Sequence, residues 1–383
     1  MKIYGRTSVH EFLGDFVVYR NLVPLDPRLP PLAEVRRHVG LPEGVIPRKT
    51  APEYARVIVH LLRQARALGA PGTSIERLVY VGDTRMSDGT AFANICRAGG
   101  WAGLAFIGAE RDEPAHVEVV AVEQDDILPC EATLYLANRW AALADFDHFC
   151  HEQGFPLDER TAVIVDLDKT AFGARGRNDH VINRARVEAV RRTVGDLLGD
   201  SFDPLAFQTA YDRLNRAEFH PFTADNQDYL AYICLILASG LYELEPLVAE
   251  VHAGRMATFE QFIAEVDDRA AELPADLRTI HRQIYARVQE GDPTPFKPFR
   301  YNEYRATIER MGHLDDGASV AELLEKEIVI TQEVREMALK WRAQGALLFG
   351  LSDKPDEASI PPDDLAAQGY RAIHRVETHA VGE

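Results

Sequence analysis

The chain has 383 residues, 46% hydrophobic and 27% charged, a composition expected of a soluble globular protein large enough for two or three domains. Its formal net charge of −18 argues against nucleic acid or an anionic membrane as a partner, because the overall field repels both. Residues 1–12 lack the apolar run of a signal peptide. The longest apolar stretch, residues 229–242, is too short to span a bilayer and reads as a buried helix. Cys96, Cys130, Cys150 and Cys234 are scattered, with no CxxC pair. They are expected to be reduced residues of a cytoplasmic protein. The Cys150-His151 neighbours are not read as a dyad, because adjacent residues on a helix do not face each other.

In chain order, residues 51–68 have the spacing of an amphipathic helix. Residues 77–83 form a short apolar run ending in Gly-Asp, the pattern of a strand buried on both faces of a parallel sheet. A helical pattern follows at 90–98 and a candidate strand at 103–107. Residues 110–114 read as a loop, 117–122 as an edge strand and 132–152 as helical. Residues 161–166 and 345–352 are two more buried-strand patterns, and 370–376 is a further candidate. This alternation predicts a doubly wound α/β core. From about 183 to 344 the pattern is helical throughout, as at 184–198, 204–217, 259–273 and 320–343. It reads as an all-helical module inserted into a core made of 1–182 and 345–383.

The chemistry gathers where the apolar strands end. Asp166 and Asp168, in Asp-Leu-Asp-Lys-Thr, follow the 161–166 strand two residues apart. At that spacing in extended chain both carboxylates point the same way, toward the crevice where α/β proteins bind ligands. Such a pair suits a nucleophile and a general acid/base; its repulsion is relieved by protonation of one carboxyl or by a cation between them, and a hard divalent metal such as Mg²⁺ fits that need. Asp83 and Asp88, in Gly-Asp-Thr-Arg-Met-Ser-Asp-Gly, follow another buried strand and add oxygen donors. Ser352 follows a third strand and can donate to a phosphate oxygen. Lys49 precedes the 51–68 helix and can neutralise phosphate charge. Lys354 and Lys297 are its rivals. Arg175 and Arg177 read as surface charges, with contact to a substrate anion as the alternative; residues 296–304, mixing aromatic and basic groups, read as helix packing, with contact to the substrate's leaving group as the alternative.

Together these residues resemble the haloacid dehalogenase superfamily. Asp166-Leu-Asp168-Lys-Thr170 resembles its first motif, Ser352 its second, Lys49 its third, and Asp83 with Asp88 its fourth. The segment from Lys49 to Asp83 is similar to that of phosphoglycolate-phosphatase-like members. The motif order is third, fourth, first, second, a circular permutation, and the helical module falls where many members carry a cap. The resemblance implies a three-layer Rossmann-like core with a mainly parallel sheet, plus an all-helical cap. It also implies a magnesium-dependent phosphohydrolase acting on a small phosphorylated metabolite. Asp166 would form an aspartyl-phosphate, and Asp168 would protonate the leaving group and then activate water. Asp166, Asp168 (through its main-chain carbonyl), Asp83 and Asp88 would hold Mg²⁺. Ser352 and Lys49 would hold the phosphate, with Thr170 and Lys354 as further contacts. A second register, similar to the DKTGT of ion-pumping ATPases, would make Asp168 the nucleophile. The chain continues Ala171-Phe172 instead, and the strand ends directly before Asp166. A mutase and a non-catalytic phospholigand-binding protein are the alternative functions. A homodimer in which Lys49 and Asp83 complete a partner's site is the alternative assembly.

Overall fold

In strand Thr161–Asp166 every side chain is buried, as the unbroken apolar run requires of a strand covered on both faces. The computed structural model describes residues 1–122 and 131–383, so Cys130 lies outside the described residues. Ten strands are described: β1 (Lys2–Thr7), β2 (Val17–Val18), β3 (Arg77–Gly82), β4 (Ala102–Gly108), β5 (Val117–Ala121), β6 (Ala132–Ala137), β7 (Thr161–Asp166), β8 (Ile330–Thr331), β9 (Leu347–Leu351) and β10 (Thr378–Gly382). Seven of them make one sheet in the order β2-β9-β7-β3-β4-β6-β5. All neighbours are parallel except β5, an antiparallel edge strand on β6.

Side-chain alternation divides β7 between two layers. Ala162 and Ile164 share a core with Tyr54, Ile58 and Leu61 of helix Pro52–Gly69 and with Phe92 and Ile95 of helix Thr90–Gly99. The other layer is made by helices Leu143–Glu152 and Gln332–Ala343, which pack on each other and on the sheet. Phe106, Phe146 and Trp341 form aromatic contacts there. Buried Asp147 fixes the two helices together by accepting from Lys340 Nζ and Trp341 Nε1, each at 2.7 Å. A smaller sheet, β1-β10-β8, joins the two ends of the chain.

The chain divides into two compact units, Met1–Arg184 with Thr307–Glu383, and Ala185–Ala306. The expected 183–344 module is therefore too long: residues 307–344 pack within the α/β unit. The expected helix at 320–343 is two helices, Val320–Lys326 and Gln332–Ala343, separated by β8. The break forms because β8 pairs with β10 and because the fully buried Glu327 carboxylate accepts from Thr378, His379 and the Leu314 N–H. Residues 132–137, expected to be helical, are β6. Pairing with β4 outweighs the helical preference of its Ala and Leu residues. Residues 370–376 hold only a short 3₁₀ turn, Ile373–Arg375, and the strand follows it as β10.

The second unit is helical, with a core that includes Phe207, Tyr232, Phe262 and Phe299. Arg300, from the aromatic-basic segment, is buried. Its Nε donates to Asp228 at 2.7 Å and its Nη1 to Glu303 at 2.6 Å, while Arg186 donates to Glu303 at 3.3 Å. That arginine is committed to helix packing, as expected. Among the described residues no helix is long and apolar enough to cross a membrane. Cys96, Cys150 and Cys234 are free and buried. Burial, with Asp147 nearby, pushes the Cys150 thiol up to about 12, so it holds its proton at neutral pH and is no nucleophile.

Candidate functional site

Strands β3, β7 and β9 run parallel with their carboxyl ends level. Val81 is in register with Val165, and Asp166 with Leu351. The residues that follow these strands, Asp83, Leu167 and Ser352, therefore emerge at one edge. Asp166 continues the Ala162, Ile164 alternation and points into the layer of helix Pro52–Gly69. Lys49 stands three residues before that helix. The helix-sheet packing thus delivers its side chain to Asp166.

Lys49 Nζ donates to Asp166 Oδ1 at 2.5 Å and to Asp88 Oδ1 at 2.6 Å. It also lies 5.8 Å from the centre of the Tyr80 ring. The lysine is buried. Burial opposes its charge, but Asp166 and Asp88 raise its pKa well above the ordinary value, so it stays protonated. Asp83, Asp88 and Asp166 each bring an oxygen within 4.8 Å of the others.

Asp88, an expected metal donor, belongs to this cluster, and its oxygens also accept hydrogen bonds. Oδ1 accepts from Lys49 and from Tyr80 Oη at 3.1 Å. Oδ2 accepts from the N–H groups of Asp83 (3.0 Å) and Thr84 (2.9 Å) and from Thr84 Oγ1 (3.0 Å). These contacts make Asp88 a brace of the turn, and its carboxylate is also one of the three that lie close enough to share a cation. Burial works against its charge, but Lys49 and the Thr84 N–H hold its carboxyl down to about 2. Gly82 makes this turn possible, since a Cβ there would lie 2.6 Å from Asp88 Cγ. Asp83 has one oxygen on Arg175, with Nε to Oδ2 at 2.5 Å. Burial and the Asp88 charge push its carboxyl up to about 7, against the pull of Arg175. Burial likewise raises Asp166, Lys49 opposes this, and Asp88 and Asp83 add to it. Three carboxylates so crowded fit a hard cation with oxygen ligands. Asp83, Asp88 and Asp166 have the donor chemistry to hold one.

Asp168 stands apart from this trio. Its Oδ1 lies 4.0 Å from Lys354 Nζ. Lys169, the residue after Asp168, takes a left-handed φ of 64°, which turns the chain sharply after the strand. Ser352 Oγ accepts from the Lys354 N–H at 3.1 Å, and both residues are buried. Thr170 is fully buried. Its hydroxyl has no hydrogen-bond partner among the described residues, and its carbonyl accepts from Thr331 Oγ1. Of the rival lysines, Lys354 adjoins Asp168, whereas Lys297 is held by Asp292 and Thr294 within the helical unit, each at 2.9 Å.

Neither Arg175 nor Arg177 is the free surface charge expected. Arg175 holds Asp83. Arg177 is buried and bridges Glu333 and Glu110, with contacts of 3.0 Å. Those bonds fix the loop after β7, and Gly176 within it passes so close to the Glu110 carbonyl that a Cβ would lie 1.9 Å away. Arg20 has no motif around it. Its Nη1 donates to Pro47 O at 2.8 Å, its N–H donates to Lys354 O at 3.1 Å, and its Nε lies 3.4 Å from Asp353. It ties the Lys49 loop to the Ser352 loop. Tyr80 was findable in the sequence, since it lies two residues before Gly82 on the face that Lys49 reaches. Arg20 was not, because its role depends on β2 lying beside β9.

No family model matches the sequence, and neither a curated protein nor a solved structure matches it.

Proposed function

We propose that the protein is a divalent-metal-dependent phosphohydrolase that cleaves a small phosphate monoester with Asp166 as nucleophile. One observation carries this reading. A buried lysine lies 2.5 Å from the Asp166 carboxylate at the end of β7, with Asp83 within 4.8 Å. The resemblance of the four motifs to the haloacid dehalogenase superfamily supports the same assignment, including a permuted core and a cap role for the helical unit. Asp166 and Asp83 would hold Mg²⁺, which would draw charge from the phosphate oxygens.

A carboxylate oxygen of Asp166 attacks phosphorus, and the bond from phosphorus to the ester oxygen breaks. The departing alkoxide takes a proton from Asp168. Water then attacks the phosphorus of the aspartyl-phosphate and gives a proton to Asp168. The bond to Asp166 breaks, leaving free carboxylate and inorganic phosphate. Lys49 and Ser352 lie at the same edge as Asp166 and would neutralise and orient the phosphoryl oxygens. Asp88 positions Lys49 and does not itself react.

The test is phosphate release from a panel of phosphorylated metabolites and an aryl phosphate, with Mg²⁺ or with EDTA, for wild type and Asp166→Asn. Release that requires both the metal and Asp166 supports the reading. Release that survives Asp166→Asn, or absence of release from every compound, sinks it.

A further inference from the structure

A cleft of about 300 Å³ opens at the carboxyl ends of β4 and β6, beside the candidate site. It lies wholly within the α/β unit. Asp83 lines its inner end and is also one of the three clustered carboxylates. Its floor is apolar, formed by Ile107 and Leu136 among others, and its rim carries Arg85, Arg111, Glu113 and Glu118. None of these four side chains forms an ion pair or hydrogen bond among the described residues. The backbone beneath the rim is fixed. Asn138 accepts from the His116 N–H at 2.7 Å and donates to Pro114 O at 2.8 Å. Arg139 donates to the carbonyls of Arg111 and Glu113. The same wall is tied to the loop after β7 by the Glu110 N–H on Arg175 O at 2.8 Å.

The carboxyl ends of parallel strands are where α/β sheets receive ligands. A purely anionic ligand would be drawn to the two arginines and repelled by the two glutamates. A purely cationic one would meet the reverse. The complement of two unpaired charges of each sign around one small cleft is a group carrying both. We infer that this cleft receives the leaving group of the substrate, and that the leaving group is a small zwitterion, as in an O-phospho-amino acid. Arg85 and Arg111 face its carboxylate, and Glu113 and Glu118 face its ammonium. The inference rests on the phosphohydrolase reading, with Asp83 as the junction between phosphate and leaving group.

The experiment uses the full chain with Mg²⁺. kcat/KM is measured for O-phosphoserine, for its N-acetyl and carboxamide derivatives, and for an aryl phosphate. Wild type is expected to favour O-phosphoserine over each derivative by about tenfold or more. In Arg85→Gln and Arg111→Gln the ratio of O-phosphoserine to the carboxamide collapses toward one. In Glu113→Gln and Glu118→Gln the ratio to the N-acetyl derivative collapses instead. Equal ratios in wild type and variants overturn the inference even if every compound is hydrolysed. If not even the aryl phosphate is hydrolysed, the chemistry has failed, and the cleft is judged by calorimetric binding of O-phosphoserine. Binding weakened about tenfold by Arg111→Gln supports it; no binding, or binding unchanged in all four variants, overturns it.

Discussion

Lys49 Nζ lies 2.5 Å from Asp166 Oδ1, although 117 residues separate them in the chain. The contact is made because a loop held by Arg20 and a helix packed on the sheet converge over the end of β7. It puts a buried cation against the carboxylate that, on the proposed reading, approaches an anionic phosphate.

Lys49→Met removes the cation shared by Asp88 and Asp166. Breaking a buried ion pair from one side leaves charge uncompensated and costs about 3–5 kcal/mol. Urea unfolding at pH 7.5 should show that loss, and turnover should fall below detection. Adding Asp166→Asn should recover part of the stability, since one of the stranded charges is then gone. A double variant as unstable as Lys49→Met alone would contradict this account.

Asp166→Asn should abolish turnover without unfolding the protein. The amide keeps the volume of the carboxylate and relieves its repulsion with Asp88 and Asp83. Its melting temperature should equal or exceed that of wild type in the absence of metal. A clear drop would mean that the Asp166 charge stabilises the fold.

Asp83→Asn and Asp88→Asn should separate metal binding from support. Asp83 retains an oxygen for a cation, so its variant should need about 10–100 times more Mg²⁺ for half-maximal activity. Asp88 accepts five hydrogen bonds, so its variant should chiefly lose stability. Magnesium titrations of activity and melting curves with and without EDTA distinguish the two. The opposite pattern would make Asp88 the metal ligand.

Gly82→Ala should push Asp88 away from β3, because the new Cβ would lie 2.6 Å from its Cγ. Overpacking of this kind costs about 1–3 kcal/mol, and activity should fall as Lys49 loses its brace. Gly89→Ala is the control, since its Cβ would meet Leu134 at an ordinary 3.5 Å. Equal melting temperatures for the two variants would show that the turn has slack.

His374 is fully buried between Tyr19 and Asp15. Burial lowers its imidazole to about 4, against the opposing pull of Asp15. Between that value and the ordinary value near 6.5, the unfolded chain binds the extra proton. Stability on this group's account is therefore full above about pH 6.5 and falls as pH drops, by up to about 1.4 kcal/mol per unit. His374→Gln removes that slope whatever it does to stability at neutral pH. Urea midpoints from pH 7.5 to 4.5 for both proteins should diverge in slope below 6.5; parallel curves would exclude His374 as the source.

The three strands that position the site could be read directly. A parallel strand covered on both faces gives an unbroken apolar run, and Gly-Asp, Asp-Leu-Asp and Leu-Ser mark where each run ends. Strand β6 was misread because Ala-Thr-Leu-Tyr-Leu-Ala suits either a helix or a strand, and only pairing with β4 decides between them. The helical module reads longer in the sequence than in the structure because helical spacing reveals that a face is apolar, not which core it joins. Residues 320–343 look like one helix until Glu327 finds Thr378 and His379 across the fold. Arg177 was read as a surface charge because its partners, Glu110 and Glu333, are remote in sequence.

The sequence by itself determined which residues are candidates for the site, because side-chain type and the ends of apolar runs are local properties. Tertiary structure decided what each residue does. It made Asp88 a brace through five donors, put Arg175 on Asp83, chose Lys49 over Lys297 for Asp166 and opened a cleft beside Asp83. Hydrogen-bond saturation, burial and charge pairing are set by neighbours in space, and here those neighbours come from strands, loops and helices far apart along the chain.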